Sequence, residues 1–444
     1  FGNAKTLRND NSSRFGKYID IHFDEQYALC GAKIDTYLLE KSRVVGQENG
    51  ERNFHIFYQI TSPQSGLDPK MAAQLRLMPP ERFSYTQKGA QVTVGYKPAN
   101  SFQHTISALQ QIGIQEDERN EIFKVLGSVL HMGNIKVHAD KELNAMLHAS
   151  DPDAALAAQL LGVTAQDMVS ALTIRNIQAG PVGAGDSYTV GQTQQQAVDS
   201  RDALARALYG NLFDVLVARI NLSLGQQKGT GRTRNISILD IFGFEHFKTN
   251  HFEQFCINYA NEKLQGHFNE FNFSLEIQEY QRENVQWSYD DFYFQTNTKC
   301  IELVEGKRNG MLALLDEQCI MPNGNDETFC TKLKNEIPEH PHLYTAKMRG
   351  MKFTVKHYAA EVVYDAEGFC FKNRDPVQPA IVELMHKSQS SYVQGLFQRH
   401  WDGMQEQLKG NKGPKRGGGS SLIFESVTAQ FKRQLVDLLA RINA

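Results

Sequence analysis

The sequence has 444 residues, of which 41% are hydrophobic and 22% are charged, and its formal net charge is −3. This length is enough to bury a sizeable core in about three domains or subdomains, and no apolar run approaches the roughly 18 residues that a membrane span needs. The small net charge excludes a global field that would draw the chain to nucleic acid, and six scattered cysteines without a CxxC pair favour a reducing, cytosolic setting over a disulfide framework.

The beginning of the chain predicts a loop that leads into a sheet. It opens on Phe1 without a charged leader and apolar stretch, so we interpret it as an internal start and not as a targeting segment. After an Asn- and Ser-rich stretch, residues 18–23 alternate apolar and polar side chains as a strand does, and residues 28–38 can return beside them.

The first half of the chain is otherwise predicted to be mainly helical. Apolar residues recur mostly at helical spacing over residues 101–132, and at every fourth position over residues 203–220. Residues 179–191 are Gly-rich and irregular, and residues 225–234 form a basic, Gly-rich connector. The 14 histidines make no HExxH motif, and His340 and His342 lie in a Pro-containing loop without nearby cysteines, which favours surface histidines over a metal site.

A short strand followed by a long helix is predicted in the second half. Residues 236–242 (ISILDIF) are typical of a strand buried on both faces, and Gly243 ends it. Asn250 and Glu253 then form a predicted capping box, and apolar residues at helical spacing follow for some 30 residues, about 45 Å of helix. Near the end, residues 409–421 (KGNKGPKRGGGSS) are a flexible basic linker, and residues 422–442 an amphipathic helix.

Two short segments carry the residue types that γ-phosphate chemistry needs. Residues 9–14 (NDNSSR) offer hydroxyls, amides, a carboxylate and a guanidinium within one loop. Residues 240–245 (DIFGFE) place a carboxylate at a strand end, then a glycine whose bare N–H can approach a phosphate, then a second carboxylate. Taken singly, the first is equally typical of a helix-capping turn and the second of a strand entering a glycine turn. Their joint occurrence favours a nucleotide-hydrolysing site.

The two segments resemble switch I and switch II of the myosins, and kinesins carry related patterns. Stretches along essentially the whole chain decide between these families, because they resemble myosin and kinesins lack them. They are FGNAKT (1–6), LLEKSRV (38–44), ERNFHIFY (51–58), LHMGNI (130–135), RDALARALYGNLFDVLVARIN (201–221), FCINYANEKLQ (255–265), LLDEQC (314–319), KHYAAEVVY (356–364) and KNRDP (372–376). The chain is therefore identified as a member of the myosin motor domain family, of unconventional type, running from switch I to just after loop 2.

The resemblance implies an α/β fold related to the P-loop NTPases, in which mainly helical upper and lower 50-kDa subdomains surround part of a central twisted sheet. Residues 1–234 would form the upper subdomain with switch I. Residues 235–408 would form the lower subdomain with switch II, the relay helix and an actin-binding helix-loop-helix. Residues 409–421 would be loop 2, and residues 422–444 a helix returning to the central sheet.

The resemblance also implies the ligands, ATP and Mg²⁺, and the residues that bind them. The nucleotide-binding set is Asn9, Asn11, Ser12, Ser13, Asp240 and Gly243. Within it, the Ser13 hydroxyl ligates magnesium and Asp240 holds the ion through a water. The residues with catalytic roles are Ser12, Arg14, Gly243 and Glu245. Arg14 and Glu245 would form a bridge that closes a gate behind the γ-phosphate, and Glu245 would orient the attacking water.

An actin-binding surface is the second function that the resemblance implies. It would include Met321 and Pro322 in the helix-loop-helix near residues 309–343, and Asp186, which lies sixteen residues before Asp202. It would also include the loop 2 cations, which are Lys409, Lys412, Lys415 and Arg416. Composition alone favours a plain solvated linker for the loop 2 stretch, and it is the family resemblance that favours an actin contact. Trp287 falls where the relay loop of many myosins has a tryptophan, and it is equally typical of a packed aromatic residue.

Some of the family's parts are not in the sequence. It contains no GxxxxGK[ST], the loop that myosins place just upstream of FGNAKT, and the lever that binds light chains or calmodulin would follow Ala444. We therefore expect the chain as it stands to be inactive alone, and Gln318 occupies a position where the family usually has an acidic residue. The expected partner is F-actin in the cytoplasmic actin cytoskeleton, with no nucleic-acid partner and no membrane contact through this segment.

Two other functions remain open from the sequence. One is a nucleotide-independent actin-binding or scaffold protein, and the other is a microtubule motor of kinesin type.

Overall fold

The computed structural model describes residues 1–63, 65–95, 98–178, 187–225, 234–286, 297–321, 323–344, 350–374, 377–410 and 426–442. The strands are β1 (Asn3–Ala4), β2 (Ser12–Ser13), β3 (Gly16–Phe23), β4 (Leu29–Tyr37), β5 (His138–Ala139), β6 (Ala145–Met146), β7 (Ile174–Gln178), β8 (Ser187–Gly191), β9 (Arg234–Asp240), β10 (Leu343–Tyr344), β11 (Lys352–Lys356) and β12 (Glu361–Asp365). The helices are α1 (His55–Ile60), α2 (Pro69–Gln74), α3 (Gln87–Ala90), α4 (Pro98–Gln111), α5 (Glu116–Asn134), α6 (Pro152–Leu160), α7 (Ala165–Thr173), α8 (Gln194–Ser223), α9 (Phe252–Arg282), α10 (Thr298–Glu305), α11 (Met311–Ile320), α12 (Asp326–Glu336), α13 (Phe369–Asn373), α14 (Pro379–His386), α15 (Ser391–Gly410) and α16 (Val427–Ile442).

The chain divides into two compact units, Phe1–Asp240 with Val377–Leu422, and Ile241–Pro376 with Ile423–Ala444. Residues 235–240 and 377–408 belong to the first of these units, whereas the sequence assigns them to the lower subdomain; the subdomain assignment itself stays a prediction. Helices α14 and α15 belong to the first unit because their apolar faces, including Ile381 and Phe397, join the same buried cluster as α5, α7 and α8. The first two residues of the predicted linker, 409 and 410, belong to α15.

The first unit has a helical core beside a three-stranded antiparallel sheet in the order β4-β3-β9. The predicted strands at residues 18–23 and 28–38 are confirmed, and they pair from Gly16 with Tyr37 to Phe23 with Leu29. Helix α8 begins at a capping box of Thr193 and Gln196 and lies against β4. There the Asn221 amide bonds both backbone groups of Ile34, at 2.7 and 2.8 Å.

The prediction that strand 236–242 is buried on both faces is wrong. The strand exists as β9, and it pairs antiparallel with β3 from Lys17 with Asp240 to Phe23 with Arg234. Helix α8 lies against the opposite edge of the sheet, at β4. Among the described strands β9 is the other edge of this sheet, and Ile236 is 59% and Ile238 49% exposed.

The second unit is organised around α9 and an antiparallel sheet in the order β10-β11-β12. Five fully buried aromatic side chains fill the space between them with edge-to-face and stacked contacts at 5.4 to 6.2 Å: Phe255, Phe329, Phe353, Tyr364 and Phe369. Such ring pairs stabilise a core beyond the area that they bury. Among the described residues no single helix is long and apolar enough to cross a membrane; α6 and α7 meet that test only as a pair, bent by 106°.

The long helix predicted after residue 250 is confirmed as α9, whose 31 residues span about 46 Å. The predicted capping box of Asn250 and Glu253 is wrong, because the box is formed one residue later by His251 and Gln254. The Asn250 amide instead bonds backbone groups of Phe247 and Val363. Only the first turns of the helix are buried, since Phe268 is 59% and Phe271 55% exposed.

Candidate functional site

In the first unit, the polar loop that resembles switch I joins two short paired strands. Strands β1 and β2 pair Asn3 with Ser13 and Ala4 with Ser12, so the chain reverses between them. The Asn9 side chain accepts the Asn11 N–H at 2.9 Å, and the Thr6 N–H donates to the Asn9 carbonyl at 2.9 Å. Asn9 and Asn11 are exposed, and Ser12 and Ser13 are partly buried. The loop therefore presents its hydroxyls and amides on a closed turn.

Two contacts hold this loop from the side, one made by its own Asp10 and the other by His55. Asp10 accepts from Lys5 at 2.5 Å and from the Gly95 N–H at 2.8 Å, and the Lys5 ammonium lowers the pKa of this carboxyl. The His55 Nε2 lies 3.2 Å from the Asn11 Oδ1. Burial lowers the pKa of His55 to about 4, so the imidazole is neutral at neutral pH and its Nε2–H donates to Asn11.

Directly after the loop, Arg14 is buried in an ion-pair network within its own unit. Its Nε donates to Glu40 at 2.6 Å and its Nη1 to the Ser12 hydroxyl at 3.2 Å. Arg43 donates to the same Glu40 carboxylate at 2.9 Å and pairs with Glu51 at 2.8 Å. Burial raises the pKa of Glu40, but the two guanidiniums outweigh it and hold the pKa at about 2. Glu40 lies in the LLEKSRV stretch and is the partner that sequence reasoning missed.

Asp240, the predicted magnesium residue, ends β9. Its carboxylate pairs with Lys17 of the neighbouring strand at 3.1 Å, and its side chain is 56% exposed. A partly exposed hydroxyl at Ser13 and an exposed carboxylate at Asp240 are hard oxygen donors. They fit Mg²⁺, which binds through one or two protein oxygens and keeps several waters.

In the second unit, the segment that resembles switch II is tied to α9 by amide side chains. The Asn258 Oδ1 accepts the Glu245 N–H at 2.8 Å, and its Nδ2 donates to the Glu245 carbonyl at 2.7 Å. Gln254 donates to the Glu245 carboxylate at 3.1 Å, and Asn261 donates to the Phe242 carbonyl at 3.1 Å. A Cβ added at Gly243 would meet no atom within 4 Å, so packing in the described residues does not require the glycine.

Behind that segment is a buried hydrogen-bond network. Asn258 also donates to the Tyr364 hydroxyl at 2.8 Å, and that hydroxyl lies 2.9 Å from His357 Nε2. The other ring nitrogen of His357 lies 2.9 Å from the Glu262 carboxylate, which also accepts from Asn297 at 2.7 Å. The network therefore connects the 241–246 segment to both α9 and the sheet of its own unit.

Three side chains of this region, Glu262, Cys300 and His357, place possible metal-ligand atoms within 4.8 Å of one another. Burial and the Glu262 carboxylate raise the pKa of the Cys300 thiol well above its usual range. A cysteine that binds a metal must be a thiolate, which this raised pKa disfavours. The ligand atoms of Glu262 and His357 also already bond each other. The cluster is therefore a hydrogen-bonded core.

The predicted helix-loop-helix is present in the same unit as α11 and α12. At its tip, Ile320 is 68% and Met321 47% exposed. Apart from Pro322, the other predicted actin-binding positions lie elsewhere in the chain. Pro322, Asp186, Lys412, Lys415 and Arg416 lie outside the described residues, as does Trp287, and Lys409 lies in the last turn of α15.

The site residues thus fall into two groups. The first unit contains Asn9, Asn11, Ser12, Ser13, Arg14 and Asp240, and the second contains Gly243 and Glu245. Arg14 has Glu40 and Ser12 as partners within its unit, and Glu245 has Asn258 and Gln254 within the other. The predicted Arg14–Glu245 bridge would have to join these two groups, and it stays a prediction.

The chain thus has two polar segments at strand ends, and one of them leads into a helix of 31 residues. The family described as "Myosin head (motor domain)" matches residues 1–444. This chain belongs to the myosin head family. The predicted family and the α/β myosin-head fold class are confirmed.

Its similarity to individual myosins extends over nearly all of the chain. It is 42% identical over 451 residues to Myosin-52 of Schizosaccharomyces pombe and 40% identical over 445 residues to Myosin-2 of Arabidopsis thaliana, and both alignments cover 100% of this chain. It is 41% identical over 401 residues to unconventional myosin-Vc of Homo sapiens, covering 90% of this chain. The chain spans 29%, 35% and 22% of the lengths of these three relatives.

Proposed function

We propose that this myosin-head chain is the switch-bearing and actin-binding part of an ATP-driven, actin-based motor of the cytoplasmic cytoskeleton. One observation carries the proposal. The polar loop at residues 9–13, in which Asn9 and Asn11 are exposed, is followed at once by Arg14, which is 2% exposed and paired with Glu40. A rigid, charged base beneath a loop of hydroxyl and amide donors is the arrangement that electrostatic positioning of a phosphate requires.

In this mechanism the chain's own residues bind the phosphate, orient the attacking water and close the site behind them. Asn9, Asn11 and Ser12 donate to phosphate oxygens, and the Gly243 N–H donates to the γ-phosphate. Glu245 orients the attacking water, and its approach to Arg14 closes the gate. Ser13 would hold Mg²⁺ directly and Asp240 would hold it through a water, and the bound ion would neutralise the charge that develops on the phosphate.

The same motor would couple its phosphate-binding segments to a surface that binds actin. Movement of the 241–246 segment is passed to α9 through Asn258 and Asn261, because these side chains bond its backbone directly. Met321 and Pro322 supply an apolar contact to actin and Asp186 an acidic one. The loop 2 cations Lys409, Lys412, Lys415 and Arg416 steer the head to an acidic surface over a distance limited by salt screening.

The test is steady-state ATPase activity of the complete motor with Mg²⁺, with and without F-actin. We expect actin to stimulate turnover, and Ser13→Ala to lower it by more than about tenfold because one magnesium ligand is lost. Ser107→Ala is the matched control, since this exposed hydroxyl bonds only the Gln103 carbonyl of its own helix in the described structure.

Other outcomes would point to other functions. Cosedimentation with actin that is identical with and without ATP would contradict the motor proposal and favour a nucleotide-independent actin-binding or scaffold protein. Turnover stimulated by microtubules and not by actin would favour a motor of kinesin type.

A further inference from the structure

One pair of adjacent side chains, Asn373 and Arg374, links the tip of the helix-loop-helix to the first turn of α16 within the second unit. Arg374 follows the short helix α13, and its backbone N–H donates to the Cys370 carbonyl at 3.0 Å. Its guanidinium donates to three backbone carbonyls of one turn. They are Cys319 at 3.0 Å, Gln318 at 3.2 Å and Gly324 at 2.8 Å.

These three bonds determine the shape of the tip. Gln318 and Cys319 belong to the last turn of α11, where carbonyls lack partners within the helix, and a cation there also complements the helix dipole. The Gly324 carbonyl lies beyond the turn, which the Gly324 N–H closes on Met321 at 3.0 Å. A Cβ at Gly324 would lie 1.9 Å from the Gln318 carbonyl oxygen, so the returning chain is pressed against the helix end. Arg374 therefore holds together both sides of the turn that presents Met321.

Asn373 makes the second half of the link. It is fully buried, and its Nδ2 donates to Asp316 of α11 at 2.8 Å. Its Oδ1 accepts the Thr428 N–H at 2.9 Å, and the Thr428 hydroxyl lies within 3.0 Å of both Asn373 and Asp316. Thr428 is in the first turn of α16, the helix that follows the basic 409–421 segment in sequence.

We propose that Asn373 and Arg374 are positioning residues for actin binding, and that they align the Gln318–Gly324 tip with the start of α16. This inference rests on the proposed function, because it treats Met321 as an actin contact. A lysine at position 374 could not make the same three bonds, since a guanidinium spreads its donors over a planar fork and an ammonium is a point charge. Asn373 and Arg374 touch no residue that we assign to nucleotide binding, so the basal ATPase of the motor should not depend on them.

The first measurement does not involve actin. Hydrogen exchange in the complete motor should be at least about tenfold faster at the amides of residues 318–321 and 323–325 in Arg374→Met than in the wild type, since loss of the three bonds frees the turn. Arg374→Lys should be intermediate, and it remains informative if the methionine variant does not fold. The control Lys299→Met removes an exposed cation from α10 and should leave these amides unchanged. Unchanged exchange in both Arg374 variants would overturn the inference.

The second measurement is actin-activated ATPase. Arg374→Met should raise KM for actin about tenfold, because the tip that contacts actin is misplaced. Both kcat and basal turnover should stay within about twofold of the wild-type values, because the nucleotide-binding residues are not displaced. Combined with Met321→Ala it should add little, since both changes act through the same tip; fully additive effects would overturn the inference. A wild-type motor that fails to bind actin would contradict the proposed function instead, and the exchange result would distinguish the two failures.

Discussion

At the scale of single residues, Glu40 is the position whose importance only the structure revealed. Its carboxylate is shared by Arg14 at 2.6 Å and Arg43 at 2.9 Å, and both guanidinium side chains are 3% exposed. Removing one member of a buried charge cluster leaves the others unbalanced in a poorly hydrated interior, which costs more than the pair itself is worth.

Glu40→Gln should therefore lower the free energy of unfolding by about 3 kcal/mol, as measured by urea titration. Glu25→Gln is the matched control, because Glu25 is exposed in the turn between β3 and β4 and should change stability little. A loss at Glu40 no larger than at Glu25 would contradict the network.

The same carboxylate predicts a pH dependence. Its pKa falls from a usual 4.5 to about 2 on folding, so its stabilising contribution is complete above about pH 4.5 and is lost as the pH falls towards 2. The stability difference between wild type and Glu40→Gln should accordingly shrink over that interval and stay constant above it. A stability difference that grew as the pH fell would contradict a lowered pKa for Glu40.

At the scale of elements, α9 is long but is anchored only near its beginning. Asn258 is fully buried and bonds the Glu245 N–H, the Glu245 carbonyl and the Tyr364 hydroxyl, whereas later apolar residues such as Phe268 and Phe271 are more than half exposed. Of the amide side chains that join the 241–246 segment to α9, Asn258 alone satisfies two of the segment's backbone groups in the described residues.

Asn258→Ala should destabilise the chain by about 2 to 3 kcal/mol, since it leaves the buried N–H and carbonyl of Glu245 without these partners. In the complete motor it should also lower the rate of hydrolysis, measured by quenched flow in a single turnover. Asn272→Ala, an exposed amide on the same helix, is the control for helix propensity. Equal effects of the two variants would argue against a special role for the two bonds from Asn258 to the Glu245 backbone.

At the scale of the whole molecule, the bridge between Arg14 and Glu245 would join two units that each already provide partners for these residues. Because Arg14 pairs with Glu40, a glutamate at position 14 would place two carboxylates together. The charge exchange is therefore best made in a Glu40→Gln background. There, Arg14→Glu and Glu245→Arg should each abolish steady-state ATPase of the complete motor, and the double exchange should restore part of it. No recovery would argue against a direct bridge.

The basic 409–421 segment gives a second prediction at this scale. Neutralising Lys409, Lys412, Lys415 and Arg416 to Gln should raise KM for actin roughly tenfold at low ionic strength, and much less at high salt, where screening already weakens the attraction. The control neutralises four exposed lysines elsewhere, which are Lys136, Lys141, Lys248 and Lys299. An equal rise in the control would mean that total charge and not this segment matters.

The sequence by itself determined the family, the paired strands β3 and β4, the helices α5 and α8 and the length of α9. These depend on local periodicity and on motifs in which residue type specifies the chemistry. Only the tertiary structure decided that Glu40 is the partner of Arg14, that His251 and not Asn250 caps α9, and that α14 and α15 return to the first unit. It also decided that β9 is a half-exposed edge strand. Each of these features depends on which distant segment packs against the residue in question. No local sequence pattern specifies that segment, because the same apolar or charged side chain can pack or pair with many different neighbours.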